Sequence, residues 1–521
     1  MLQVIAKSYE AHRSFFLGGY KRLLGAIILV VVNSAPSIFD DSKPRRDKTT
    51  HHMTKMPPFL CNEIWNLVFS NFEDTIDVDD GSDHGLYPSP KDTDIPTLKS
   101  LCLVSHQFYR LARRNLYHTI SSGKLPDQQN NTKMCLLART LLLNPELRSE
   151  IRAIDLSSSG NWKAPLVNSE FWPPSIERVE PTQLRDLLRG DIERHSATEA
   201  GTCFLLALMP KLRMVVLTDP QTHSKALTWI LGGKMKTPQP GTADRPEPVA
   251  NYLGQLEEIH WSPLRAKSED PDTCSTEHLL LLPSIKRLFL SPFAPNLTIS
   301  PPMVPDLQSG LRSLTLDGGM IRPAFLHYSL SRCKALQYLD LDLTDCYDVN
   351  EEDLTVNLYD FGRILREFGQ ALVSLRLRFY DCEEYAQSRI GSLQGLKRLR
   401  HLSAPIFVLA GTLMDAVPLS EVLPESVETL EMDFVDVCRV ANCDTLATMS
   451  VANDDRVIRF LYNNQLPKLQ EVVYGFYIDG ENDRITNFTK VEGWSVKNEA
   501  RLRRSFAGEP YSGRLELVRG E

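Results

Sequence analysis

The side chains with the most chemical potential in this 521-residue chain are a run of carboxylates, Asp77, Asp79, Asp80 and Asp83 around Gly81, and ten scattered cysteines. Oxygen ligands at alternate positions around a glycine are what a calcium loop needs. Such a loop also requires a Glu at its twelfth position, and the offsets here do not match it. The run reads as a solvated acidic loop. The cysteines, from Cys61 to Cys443, include no CxxC pair, and neither Cys333 with Cys346 nor Cys438 with Cys443 has a third and fourth ligand nearby. No metal is expected, and the thiols read as reduced, structural groups of a cytoplasmic or nuclear protein. The chain has no GxSxG elbow, no GxxxxGK[ST] phosphate loop, no HExxH and no GxGxxG after a strand, so neither a catalytic residue nor a cofactor is expected. Trp162, Trp172, Trp261 and Trp494 are the remaining candidates, as anchors for a partner or as core.

The elements that carry these residues follow from composition and periodicity. Hydrophobic residues make up 42% and charged residues 24%, an ordinary globular balance. The length points to two or more domains, or to a repeat domain with a small module attached. A net charge of -8 and the shortness of the basic groups Arg110, Arg113, Arg114 and Lys397, Arg398, Arg400 argue against a nucleic-acid partner. Leu23–Val32 is apolar and follows Lys21 and Arg22, the order of a signal peptide, yet it is too short to cross a bilayer core of about 30 Å. It reads as part of a dispensable extension or a misassigned start, with a targeting signal and a membrane-associated segment as alternatives.

Two helical patterns follow a polar lead-in. Ile64, Leu67, Val68 and Phe72 fall at helical spacing, as do Leu98, Leu101, Val104, Phe108, Leu111 and Ala112; acidic, turn-rich residues Glu73 to Asp94 separate them. From about residue 150 the pattern becomes a recurring L-x-x-L-x-L, whose last two apolar positions alternate as in a strand. Copies occur at Ile151, Ile154, Leu156; at Leu212, Val215, Leu217; at Leu256, Ile259, Trp261; at Ile285, Leu288, Leu290; and at Leu311, Leu314, Leu316. They continue at Leu336, Leu339, Leu341; at Leu372, Leu375, Leu377; in looser form at Leu396, Leu399, Leu402; at Val427, Leu430, Met432; and at Leu469, Val472, Tyr474. The central copies begin at 256, 285, 311, 336 and 372, spacings mostly within the 20–29 residues of a leucine-rich repeat. Each copy predicts a short parallel strand that buries its apolar face by stacking on the next, with Pro323–Leu330 and Leu358–Phe368 as outer helices.

Leu60-Cys61-Asn62-Glu63-Ile64, then Leu101-Cys102-Leu103-Val104-Ser105 with Phe108, and the closing Leu111 to Tyr117 resemble the motifs of an F-box. Cys61 stands where the family has proline, and the loop at 73–94 is longer than the family's connection. Followed by the repeats, the order resembles an F-box/leucine-rich-repeat substrate receptor of the fungal type. The resemblance implies an α/β protein: a small all-helical F-box module, then an irregular leucine-rich-repeat-like solenoid of parallel strands and outer helices. The expected organisation is an extension at 1–55, the F-box-like domain at 56–120, a helical linker at 121–150, the solenoid at 151–480 and a tail or cap at 481–521. The resemblance further implies a Skp-type adaptor, and through it a cullin–RING complex, docked on Leu60, Glu63, Ile64, Leu67, Val68, Leu101, Val104 and Phe108. A substrate protein would bind the concave strand face or its loops. An adaptor-independent repeat scaffold and a secreted or membrane-associated repeat protein are the alternatives.

Overall fold

A computed structural model describes residues 99, 102–103, 106–121, 127–156, 176–177, 179, 182–193, 197–218, 224–231, 253–262, 277–280, 282–291, 309–317, 321, 323–342, 358–378, 389–411, 417–432, 443–463, 466–478, 488, 491–502 and 511–520. The chain divides into two compact units, 1–61 and 62–521, and every described residue belongs to the second. The extension at 1–55, the first helical motif and the acidic loop lie outside the described residues.

The repeating signature becomes a 13-stranded sheet in which chain order and spatial order coincide for the first eleven strands. These are β1 (Thr119–Ser121), β2 (Ala153–Leu156), β3 (Met214–Thr218), β4 (Glu258–Ser262), β5 (Arg287–Leu290) and β6 (Ser313–Leu316), followed by β7 (Tyr338–Asp342), β8 (Ser374–Arg378), β9 (His401–Ser403), β10 (Thr429–Met432) and β11 (Glu471–Ile478). Each pairs in parallel with the next. The fold is thus α/β with an open, mostly parallel sheet, as the repeats predict.

One backbone device sets the register. The residue after the first apolar position of a repeat offers its carbonyl to two successive N–H groups of the following repeat. Arg213 O accepts from Glu257 N (2.7 Å) and Glu258 N (2.9 Å), Glu257 O from Lys286 N and Arg287 N, and Lys286 O from Arg312 N and Ser313 N. The pattern runs on to Glu428 O with Gln470 N and Glu471 N. With the register fixed in this way, Ile154, Val215, Ile259, Leu288, Leu314, Leu339, Leu375, Leu402, Leu430 and Val472 form one continuous ladder. All are at most 2% exposed. A slip of one residue would turn the whole row to the other face, so burial itself defends the register.

The looser copy is assigned differently by this ladder. Leu402 pairs with Leu375 and Leu430, and Arg400 O accepts from Glu428 N and Thr429 N, so Leu399 holds the first apolar position and Ala404 the third. Leu396 is displaced into the preceding turn, where its carbonyl accepts from Leu399 N (3.0 Å).

Helices pack against the inward rows in a single core. The chain enters the array through α1 (His106–His118), then crosses α2 (Asp127–Leu143) and α3 (Pro145–Arg148) before β2. Further along come α4 (Thr182–Glu193), α5 (Ala197–Ala207), α6 (Lys225–Ile230), α7 (Glu277–Leu280), α8 (Pro323–Arg332) and α9 (Leu358–Phe368). The last two realise the expected outer helices. Phe325, Leu326, Phe361, Ile364 and Leu365 share the core with the strand leucines. Short α10 (Ile406–Ala410) and α11 (Leu419–Val422) precede the long α12 (Cys443–Asn463). Asp191 at the end of α4 is fully buried and accepts from Ser224 Oγ (2.7 Å) and Ala226 N (2.9 Å), while Ser224 Oγ accepts from Leu227 N. A buried carboxylate thereby fixes the start of α6 to α4.

Two antiparallel strands end the sheet: β13 (Tyr511–Arg519) pairs with β11, and β12 (Trp494–Leu502) pairs with β13. They cover the edge that β11 would otherwise present for pairing with another chain. The parallel sheet also starts earlier than residue 151, at Thr119, because His118 O accepts from Arg152 N and β1 extends the array by one strand.

Candidate functional site

Alternation along each strand leaves a second face, turned away from the helices, and on β6 to β10 this face is mostly polar. β6 and β10 alternate half-buried with buried residues, and β8 does the same. The pattern fails on β2 and β4, whose residues are buried on both faces. Between them, Ala153 of β2 and Met214 and Val216 of β3 form a separate small apolar cluster.

The main polar constellation sits at the C-terminal ends of β5 to β8. Sequence alternation builds it: β7 reads Tyr-Leu-Asp-Leu-Asp and β8 reads Ser-Leu-Arg-Leu-Arg, so inward leucines leave acids on one strand opposite arginines on the next. Asp340 lies opposite Arg376, and Asp342 opposite Arg378. Arg378 grips Asp340 bidentately, with Nε to Oδ1 and Nη2 to Oδ2 both at 3.2 Å. It also reaches Asp342 Oδ2 at 3.3 Å and Asp317 Oδ1 at 3.4 Å. Ser291 Oγ donates to the second oxygen of Asp317 at 2.7 Å.

These groups are largely out of water. Burial disfavours the charged form of Arg378, but Asp340, Asp342 and Asp317 more than offset this and hold its pKa above the ordinary arginine value. Burial raises the Asp340 carboxyl despite Arg378 and Arg376. Burial likewise pushes Asp317 up to about 6, against the opposing Ser291 hydrogen bond and Arg378 charge, with the Asp342 carboxylate adding to the rise. A carboxyl raised from 3.8 to about 6 binds more protons folded than unfolded across that window. Its stabilising contribution is present below about pH 4 and lost as pH rises through 6. Asp317→Asn keeps an acceptor for Ser291 and removes the titration. The variant should gain on the order of 1–2 kcal/mol relative to the parent between pH 4.5 and pH 7.5, read from urea midpoints. An unchanged difference at the two pH values would exclude Asp317 as the titrating group.

A second cluster lies on β4 and β5. His260 Nε2 and Glu258 Oε1 are 2.7 Å apart, Arg287 also pairs with Glu258, and the His260 ring stacks on Phe289 at 5.3 Å. Burial opposes ionisation of Glu258, yet the His260 hydrogen bond and the Arg287 guanidinium hold its pKa below the usual range. Both constellations pin neighbouring strands.

Of the residues expected to dock an adaptor, Leu60, Glu63, Ile64, Leu67, Val68, Leu101 and Val104 lie outside the described residues. Phe108 falls on α1, but its side chain lies outside them too. The described part of α1 turns Ala112 and Asn115 inward and leaves Arg114 exposed. Trp261 and Trp494 are buried packing residues rather than exposed anchors; Trp162 and Trp172 are outside the described residues. The Arg378 and Glu258 constellations were not among the expected site residues.

Cys102, Cys203 and Cys333 are free thiols, and burial pushes Cys333 up to about 11. Among the described residues, no group of three or more His, Cys, Asp or Glu side chains is placed to hold a metal ion, and no helix is long and apolar enough to cross a membrane. No protein-family model matches the chain, and no curated protein matches it.

Proposed function

We propose that this chain is the substrate-recognition subunit of a Skp–cullin–F-box ubiquitin ligase. In this reading an adaptor docks on the module at 56–120 and a target protein on the repeat array, within the cytoplasm or nucleus. The observation that carries the reading is the direct join between the motif-bearing helix and the array. α1, which includes Phe108, ends at His118, and β1 begins at the next residue. β1 is the first strand of the sheet. A receptor works by holding its target at a set position relative to a ubiquitin-charged enzyme bound elsewhere in the complex, and a join without intervening residues serves that geometry. The polar strand face supplies side chains for recognition, so the subunit needs no catalytic residue of its own.

The test is retention of a purified Skp-type adaptor by the full chain. Leu60→Asp with Ile64→Asp should weaken retention at least 100-fold while the far-ultraviolet circular dichroism of the repeat array is unchanged, because apolar helix-face anchors dominate docking of this kind. Absence of adaptor retention by the parent chain, under conditions where another F-box protein is retained, would favour an adaptor-independent scaffold.

A further inference from the structure

The parallel topology brings every turn that leads into a strand to one edge of the sheet, and this edge is basic although the chain carries a net charge of -8. Arg213, Arg312 and Arg400 each occupy the position just before β3, β6 and β9, and Lys286 the position before β5. Lys211, Lys334, Lys397 and Arg398 lie two or three residues earlier in their own turns. All are exposed. Lys286 is paired with Glu257 and Arg400 with Glu428, whereas Lys211, Arg213, Arg312, Lys334, Lys397 and Arg398 have no ion-pair partner among the described residues. Arg152, before β2, has its pKa lowered first by burial and then by the neighbouring Arg213, with Glu150 opposing and Arg114 adding to the shift. At the other ends of the strands Asp317 and Asp342 are paired with Arg378, so of the two ends this edge carries the unpaired basic charge.

We infer that this basic edge, from β3 to β9, is a docking surface for an extended acidic segment of a partner protein. Its dimensions suit one chain. Seven strands about 4.8 Å apart give an edge of about 29 Å, the length of roughly nine extended residues. Charge in excess of local pairing attracts a partner of opposite sign and speeds encounter. A nucleic-acid duplex fits less well: strands of three to five residues are only about 10–17 Å long, narrower than a duplex laid along the edge. Glu257 interrupts the basic row, and Glu425 and Glu428 bound it at β10, so a short acidic segment fits the row better than a long uniform phosphate backbone.

The inference rests on the receptor reading only in naming the partner as a target protein; peptide binding by the isolated chain succeeds or fails whether or not an adaptor is captured. Binding of a fluorescein-labelled decapeptide of alternating Asp and Glu to the full chain is measured by anisotropy at 50 and 300 mM salt. A ten-nucleotide single-stranded DNA is measured in parallel. Saturable peptide binding is expected, weakened by salt because the charges are exposed. Arg312→Glu with Arg398→Glu should weaken it at least tenfold, while Arg139→Glu with Arg459→Glu, on the exposed faces of α2 and α12, should change it less than twofold. Thermal midpoints of both variants should match the parent. No peptide binding, equal loss in the two double variants, or tighter binding of the oligonucleotide than of the peptide would overturn the proposal.

Discussion

Replacing Arg378 by methionine should destabilise the chain by about 3–5 kcal/mol, the range for removing one partner from a buried charge pair. The side chain is 20% exposed and satisfies three carboxylates from two neighbouring repeats. Its loss leaves Asp317, Asp340 and Asp342 close together with only Arg376, opposite Asp340, as a remaining counter-charge. Burial already raises the first two, so they would meet the loss by taking up protons at neutral pH. Arg378→Lys keeps the charge but not the planar fork that grips both oxygens of Asp340, and should fall between parent and methionine variant. Because repeats are stabilised by their neighbours, the damage should be local before it is global: hydrogen exchange should accelerate first in β6 to β8. Adding Asp340→Asn and Asp342→Asn to Arg378→Met should recover much of the loss, since Asp317, whose pKa burial already pushes up to about 6, is then the one carboxyl of the three left to take up a proton. A urea midpoint within 1 kcal/mol of the parent for Arg378→Met would mean that solvent already screens the cluster.

The Arg378 network shows where sequence reading succeeds and where it stops. Leu339 and Leu341, or Leu375 and Leu377, are legible because burial repeats at a fixed spacing and the register then follows. The complementary charges between them, acids at 340 and 342 and arginines at 376 and 378, were visible in the same two segments. Their meaning depended on knowing that those segments are adjacent in space, 36 residues apart in the chain. The copy around residue 400 lies three residues later than the spacing suggests, because Leu396 and Leu399 both fit the first apolar position. Only the carbonyl of Arg400, taken by Glu428 and Thr429, decides between them. The antiparallel close was signalled weakly by the alternation of Arg514, Leu515, Glu516, Leu517 and Val518. That signal is too short to separate from a tail without its partner β11. β1 is three residues long and has no periodicity to read.

Gly362→Ala should reverse the ordinary effect of that exchange. In the interior of an exposed helix, alanine is favoured over glycine by about 0.8–1.0 kcal/mol. Gly362 lies in the middle of α9 on its buried side, and a Cβ there would land on the carbonyl oxygen of Ile390 and 2.8 Å from its carbon. Both obstacles are backbone, so no rotamer change relieves the clash. Either α9 or the 389–393 segment must move. That segment is held from several sides. Ile390 N donates to Val408 O (3.0 Å) and Leu393 N to Val422 O (2.7 Å), while Arg366 Nη1 donates to the carbonyls of Ile390 and Ser392 at 3.2 and 3.1 Å. The positive φ of 76° at Gly391 sets the turn between those two carbonyls. Displacement would therefore break contacts to α9, α10 and α11 together. Overpacking of a well-filled core costs about 1–3 kcal/mol and more where the backbone must shift, so a net loss of about 3 kcal/mol is expected from the denaturation midpoint. Gly395→Ala is the internal comparison: nothing lies within 4 Å of its added Cβ, and the change should be nearly neutral. If Gly362→Ala were neutral as well, the close approach of α9 to Ile390 could not be a feature of the folded chain.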